Sequence, residues 1–99
     1  MIVGFGLFKF KEDSAQQAMA HLLKRLELEN KQKGILEGYV ARGLDDRSSF
    51  FIYTEWDFWE SREAMFNALT TSPESRELSS EIMKLTDKEP IFGTFEVVE

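Results

Sequence analysis

The chain has 99 residues, of which 42% are hydrophobic and 13% aromatic, and its 12 basic and 18 acidic residues leave a net charge of −6. A chain of this length and apolar content can bury one compact core but not two, so we predict a single domain over residues 1–99. The acidic balance, with no basic cluster to offset it, excludes nucleic acid and anionic membrane as expected partners.

The chain contains no cysteine. This excludes a disulfide framework, a thiolate metal site and a cysteine nucleophile, and it fits a reducing compartment. The first residues carry neither the basic region nor the small-residue cleavage pattern of a signal peptide. No segment reaches the roughly 20 apolar residues that a membrane-spanning helix needs. We therefore expect a cytoplasmic protein.

A strand and a long helix are predicted at the start of the chain. Residues 2–9 are rich in Val, Ile, Leu and Phe, which is typical of a strand. Gly4 and Gly6 fall on the same face of that strand, where they leave room for another group to approach the backbone or, equally well, for a helix that crowds the strand. Apolar residues at helical spacing predict a helix over 15–32, and Gly34 is placed to end it in the left-handed conformation.

Serine residues mark the predicted helix starts. Ser14 and Gln17 have the form of a capping box for the first helix. Ser61 can cap a second helix, and Ser72 followed by Pro73 can cap a third after a break. The second helical region is therefore predicted in two pieces.

Three more strands are predicted, over residues 35–42, 49–56 and 91–98. The last two have apolar side chains on both faces, whereas a sheet with one solvated face alternates apolar and polar residues. The order β-α-β-β-α-β predicts a ferredoxin-like α+β fold with a four-stranded antiparallel sheet. Its helices can cover only one face of the sheet. We therefore predict a homodimer in which the two copies meet through their sheet faces.

The segment FIYTEWDFWESREAMFNALTTSP, residues 51–73, resembles the strand-to-helix segment of the antibiotic biosynthesis monooxygenase (ABM) family of dimeric α/β barrels. The match covers Trp59 to Met65 and then Ser72 and Pro73, and residues 90–98 are similar to the family's last strand. The resemblance implies a small cofactor-independent monooxygenase that acts on an aromatic phenol, quinol-like or polyketide-like molecule. The alternative is a non-catalytic or regulatory dimeric barrel that binds small molecules.

Two residues of the family pattern are missing from this chain. The histidine of the family's second helix would fall around residues 67–69, where no histidine occurs. The haem-degrading relatives carry an asparagine in the first strand, where this chain has about Gly6. Haem degradation is therefore not expected, and neither a cofactor nor a metal ion is predicted.

Five residues are candidates for contacts with a small aromatic ligand. They are Trp59, Asn67, Phe66, Tyr53 and Trp56. Indole N–H, phenol and amide groups can bond to a substrate oxygen, and the aromatic rings can form the wall of a pocket. Trp56 is interpreted first as a core residue, whereas Trp59 fits a structural and a pocket role equally well. No residue is identified as the catalytic base.

Overall fold

A computed structural model of residues 1–99 contains four strands and three helices. The strands are β1 (Ile2–Lys9), β2 (Ile35–Arg42), β3 (Ser49–Trp56) and β4 (Ile91–Glu96). The helices are α1 (Ala15–Asn30), α2 (Trp59–Thr71) and α3 (Pro73–Lys84). This order confirms the predicted ferredoxin-like α+β arrangement and the division of the second helical region.

The strands form one antiparallel sheet in the order β2-β3-β1-β4. In the central pair, the register runs from Ile2 opposite Trp56 to Lys9 opposite Ser49. Because side chains alternate along a strand, the even-numbered residues of β1 and β3 all point toward the helices. The odd-numbered residues of both strands point to the other face.

The hydrophobic core lies between the sheet and the helices. Its larger cluster joins β1, α1, β3 and α3 through these residues: Phe8, Phe10, Ala15, Ala18, Leu22, Leu26, Phe50, Ile52 and Ile82. A smaller cluster under α2 consists of Ile2, Trp56, Met65 and Leu69. Burying such apolar surface is the main favourable term in folding. None of the helices is both long and apolar enough to cross a membrane.

The opposite face of the sheet, here called the open face, is apolar although no helix covers it. Its side chains include Phe5, Leu7, Tyr39, Phe51, Tyr53 and Phe95. The Phe5 and Phe95 rings stack with centroids 5.7 Å apart, and those of Tyr39 and Tyr53 stack at 4.9 Å. Leu7 and Tyr39 are each 43% exposed. A contiguous apolar surface of this kind is typical of an interaction site.

Two of the predicted helix caps are wrong. Ser14 makes no capping hydrogen bond because its backbone, with φ −107° and ψ −2°, is near-helical, and it ends a short 3₁₀ turn that leads directly into α1. Helix α2 begins two residues before Ser61, and Phe58 occupies the cap position without a side-chain hydrogen bond. The carboxylate of Asp57 accepts a hydrogen bond from the Phe58 N–H at 2.6 Å instead.

The third cap is confirmed, and two element ends differ from their predictions. Ser72 Oγ accepts a bond from the Ser75 N–H at 3.4 Å, with Pro73 at the first helical position. Gly34 has a φ of 92°, as predicted, but α1 already ends at Asn30. Strand β4 ends at Glu96, opposite Ile2, the first residue of β1, and one further bond joins the Val97 N–H to the Met1 carbonyl at 2.9 Å.

Candidate functional site

A cavity of about 460 Å³ lies between the sheet and the three helices. This volume is within the range of small-molecule sites in proteins. Gly4 and Gly6 of β1 form its floor together with Ile52 and Thr54 of β3. Because the two glycines have no side chains, groups from the helices can reach the sheet backbone there. Side chains do approach both glycines closely: a Cβ would lie 2.7 Å from Arg62 Nε at Gly4 and 3.0 Å from the Phe8 and Phe92 rings at Gly6.

The wall of the cavity is mainly apolar and comes from every layer of the fold. Its large apolar side chains are Phe8, Leu22, Ile52, Met65, Phe66, Ile82, Met83 and Phe92. The Phe8 and Phe92 rings meet edge to face with their centroids 5.6 Å apart. Phe66, Met83 and Phe92 are about half exposed or more, so they stand where the cavity opens to solvent. Such a wall suits a flat, largely apolar ligand.

A buried ionic network joins α1 to α3 at one side of the cavity. The Arg25 Nε donates to the Glu29 carboxylate at 3.1 Å, and the Arg25 Nη1 donates to the Ser79 and Ser75 hydroxyls at 3.2 and 3.4 Å. The Glu29 side chain is only 9% exposed. Glu29 is stable in this position because its charge is paired and hydrogen-bonded.

Arg62 of α2 differs from Arg25 because its guanidinium has no partner in the chain. It takes part in none of the ion pairs, and its buried Nε lacks a hydrogen-bond acceptor. A Cβ placed on Gly4 would lie 2.7 Å from this Nε, so the guanidinium rests directly on the cavity floor. Burial lowers the pKa of Arg62, an effect that Glu29 opposes and Arg25 reinforces. The group nevertheless stays charged, because arginine does not deprotonate in proteins.

The wall of the cavity therefore carries two guanidinium groups and one carboxylate, Glu29. Nowhere in the chain do three His, Cys, Asp or Glu side chains meet in a way that could hold a metal ion. The arrangement can hold an aromatic molecule between apolar walls and present N–H donors to one of its oxygen atoms. Donors of this kind stabilise negative charge that is present on, or develops on, such an oxygen.

The sequence model of the family Antibiotic biosynthesis monooxygenase matches residues 1–80. The chain belongs to the ABM family. This confirms the family inferred from residues 51–73. No curated protein sequence matches the chain.

Solved structures share the ABM fold at low sequence identity. SnoaB, a cofactor-independent oxygenase from Streptomyces nogalater, is 11% identical, with 99% of this chain and 93% of that chain covered and a TM-score of 0.82. A conserved protein from Methanosarcina mazei is 18% identical, with 95% and 89% covered and a TM-score of 0.81. A protein of unknown function from Bacteroides thetaiotaomicron is 16% identical, with 97% of each chain covered and a TM-score of 0.79. At these identities the likeness concerns the fold alone.

Of the five ligand-contact candidates, the structure places Phe66 alone in the cavity wall. Trp59, the first residue of α2, is 48% exposed and lies outside the wall, as does the exposed Asn67. Phe66 is displaced from Asn67 by one residue, which on a helix is a rotation of about 100°. That rotation decides which of the two neighbours reaches the ligand space.

Tyr53 and Trp56 also lie outside the cavity, on opposite faces of the same strand. Tyr53 is on the open face and donates to the Glu55 carboxylate at 2.7 Å. That bond, with smaller effects of burial and nearby charges, raises the pKa of Tyr53 to about 12. Trp56 is fully buried in the core, and its Nε1 donates to Thr54 Oγ1 at 2.9 Å. Trp56 therefore reaches the cavity only indirectly, through Thr54.

Sequence reasoning missed the three charged residues of the cavity wall. Arg62 stands inside the segment that resembles the ABM family, but it was not among the candidates, and charged helix residues are usually exposed. Glu29 continues the apolar stripe of Leu22 and Leu26 at helical spacing, and Arg25 precedes it by four residues. The sequence signal for a buried ionic pair was therefore present: an acid on the apolar stripe of a helix, with an arginine four residues before it.

Proposed function

We propose that this ABM-family protein is a small cofactor-independent monooxygenase that acts on an aromatic phenol, quinol-like or polyketide-like molecule. The observation that carries the proposal is the apolar cavity of about 460 Å³ with guanidinium groups in its wall. Family membership supports the reaction class. The cavity supports a substrate that is aromatic and carries an oxygen function.

The chemistry needs no redox group from the protein, because the substrate supplies the electrons. The phenol binds as its anion, after losing its proton to water. The anion then passes one electron to dioxygen, and the resulting radical pair joins at a ring carbon to form a peroxide. The peroxide takes up a proton from water, and its O–O bond breaks as the ring C–H proton leaves. One oxygen atom stays as a quinone carbonyl, and the other departs as hydroxide, which the ring proton converts to water. The protein contributes orientation, exclusion of water and donors to the anion.

We further propose that two copies pair through their open faces. The open face presents Phe5, Leu7, Tyr39, Phe51 and Phe95, while all three helices lie on the other side of the sheet. A second copy supplies a surface of the same shape and polarity through a two-fold axis, which is the commonest way that such a face is buried. The ABM resemblance points to the same dimeric barrel.

Oxygen uptake tests the proposed activity. Hydroquinones and polycyclic phenols are screened with the purified protein, and a thermal-shift measurement is made with each compound. The expected result is oxygen consumption with at least one compound that also raises the melting temperature. Compounds that raise the melting temperature without oxygen consumption across the whole screen would reject the oxygenase and favour the small-molecule-binding alternative.

Two phenylalanine substitutions test whether the substrate binds in the cavity. Phe66→Ala removes a wall residue and is expected to raise KM about tenfold, because an aromatic contact worth about 1.5 kcal/mol is lost. Phe58→Ala is the matched control, since Phe58 lies near the start of the same helix, is 68% exposed and does not line the cavity. The double variant Trp59→Phe with Asn67→Ala is also expected to keep the parental KM. Equal KM values for Phe66→Ala and Phe58→Ala would place the substrate elsewhere.

A further inference from the structure

We infer that the cavity selects ligands that carry an ionised oxygen, a phenolate, enolate or carboxylate, and that Arg62 is the residue that recognises it. The inference rests on the proposed use of the cavity as the ligand site and names the substrate class more narrowly. It assigns a binding role to a residue outside the five ligand-contact candidates.

Charge balance in the cavity wall is the first argument. Arg25 and Glu29 form a pair at 3.1 Å, and Arg25 is held further by the hydroxyls of Ser75 and Ser79. These bonds compensate one positive and one negative charge. The guanidinium of Arg62 remains as a single uncompensated positive charge. A partly buried charge of this kind is unfavourable until an opposite charge pairs with it, and a ligand with one negative charge provides that partner.

The position of Arg62 is the second argument. Its Nε rests over Gly4 on the cavity floor, where any larger residue would displace it. The Nε is buried and has no acceptor within the chain, and Arg62 lines the cavity, so the guanidinium is available to a ligand without a competing bond. A guanidinium that is free of internal bonds can meet an oxyanion through two parallel N–H bonds. Gly4 therefore serves the site by leaving room for Arg62.

The surrounding wall limits what else the anion can be. The wall of the cavity that Arg62 lines is otherwise mainly apolar, with side chains such as Phe8, Ile52, Met65, Phe66 and Phe92. Free phosphate or a nucleotide would place several charges against that surface with only one unpaired guanidinium to meet them. A single anionic oxygen at the end of an aromatic ring system satisfies both parts of the cavity. Its body contacts the apolar wall and its oxygen reaches Arg62.

Binding of two isosteric probes tests the inference. Affinities for 2-naphthoate and 2-naphthamide, which differ in charge but hardly in shape, are measured by titration calorimetry. Wild-type protein is expected to prefer the naphthoate about tenfold or more, as a charge-assisted hydrogen bond provides. Arg62→Gln is expected to abolish the preference and keep the naphthamide affinity, whereas Arg62→Lys retains part of it. Arg76→Gln, a change at an exposed arginine of α3, serves as the control and is expected to behave as wild type.

Three outcomes would overturn the inference. Equal affinities in the wild type would show that the cavity does not select charge, and a preference that survives Arg62→Gln would assign the selection to another residue. Failure of both probes to bind would reject the cavity as the ligand site altogether. Oxygen uptake is a separate readout. Charge selection without turnover overturns the oxygenase alone, and turnover without charge selection overturns the Arg62 inference alone.

Discussion

The two faces of the sheet use the same strands for opposite purposes. On the helix-covered face, Gly4 and Gly6 withhold side chains and Arg62 fills part of the space above them, so a cavity remains. On the open face, Phe5 and Leu7 lie one residue away on the same strand and form a flat aromatic and aliphatic surface without a cavity. Alternation along β1 thus separates the cavity that we propose for a small molecule from the surface that we propose for a second copy of the chain.

The comparison shows that apolar surface and charge have been distributed differently between the two faces. The helix face buries an ionic network and an unpaired guanidinium beside its core, which costs stability and suits a ligand site. The open face keeps its stacked rings half exposed, which suits burial against a partner. Substitutions on each face test whether the two faces have these separate roles.

The stability of the helix face is tested by comparing two tryptophans that lie three residues apart. Trp56→Ala is expected to lower the free energy of unfolding by about 3–5 kcal/mol, because it removes a fully buried ring. Trp59→Ala is expected to cost about 1 kcal/mol or less, since nearly half of that side chain is already exposed. Urea unfolding of both variants measures the difference. Similar losses would contradict the assignment of Trp56 alone to the core.

The role of the open face is tested by a matched pair of leucine substitutions. Leu7→Glu is expected to convert the proposed dimer into a monomer of 11.5 kDa, because a carboxylate would be buried between the sheets. Leu23→Glu places the same charge on a similarly exposed leucine of α1 and is expected to leave the dimer intact. Light scattering after gel filtration reports both masses. A wild-type mass equal to one chain would refute pairing through the open face.

The link between the glycine floor and the ligand site is tested by Gly4→Ala. The added methyl group would overlap the Nε of Arg62, which lies at the end of a flexible side chain and can move aside. We expect the preference for 2-naphthoate to fall about tenfold, as one charge-assisted hydrogen bond is lost. The free energy of unfolding should change by less than about 1 kcal/mol. The selectivity is measured by calorimetry, with Arg62→Gln in parallel. If Gly4→Ala kept the wild-type preference for 2-naphthoate, the position of Arg62 would not depend on Gly4.

The smallest effect is expected at the turn between β2 and β3, outside both faces. Lys9 bonds to the Asp46 carboxylate at 2.6 Å and, with the Ser48 N–H and the Ser49 hydroxyl, lowers the pKa of Asp46 from 3.8 to about 2. Because the folded-state pKa is the lower one, this contribution to stability is present above pH 3.8 and is lost as the pH falls toward about 2.

The Asp46 shift is measured by following its carboxyl carbon in an NMR titration. Lys9→Met is expected to return the pKa toward 3.8, because Lys9 makes the largest contribution to the shift. The difference in melting temperature between wild type and Asp46→Asn should shrink over the same pH interval. If the difference in melting temperature stayed constant down to pH 2, the ionised carboxylate of Asp46 would not be its cause.

Much of the architecture could be predicted because it depends on local patterns. Runs rich in apolar and aromatic residues located all four strands, helical spacing located the three helices, and Ser72 with Pro73 marked the break between α2 and α3. The caps at Ser14 and Ser61 were wrong because several nearby groups can satisfy the same N–H donors, and the choice between them depends on the incoming backbone. Before α2, Phe58 holds the cap position and its N–H donates to the carboxylate of Asp57.

The amino-acid sequence by itself determined the element order, the ABM family and the glycine gap on β1, since each depends on residues close together in the chain. The tertiary structure alone decided which side chains share the cavity. It brought Arg25 and Glu29 of α1 beside Arg62 of α2, and it placed Phe66 inside while leaving Trp59 and Asn67 outside. The physical reason is that the rotation of each helix about its axis, set by packing against the sheet, determines which residues face the ligand space.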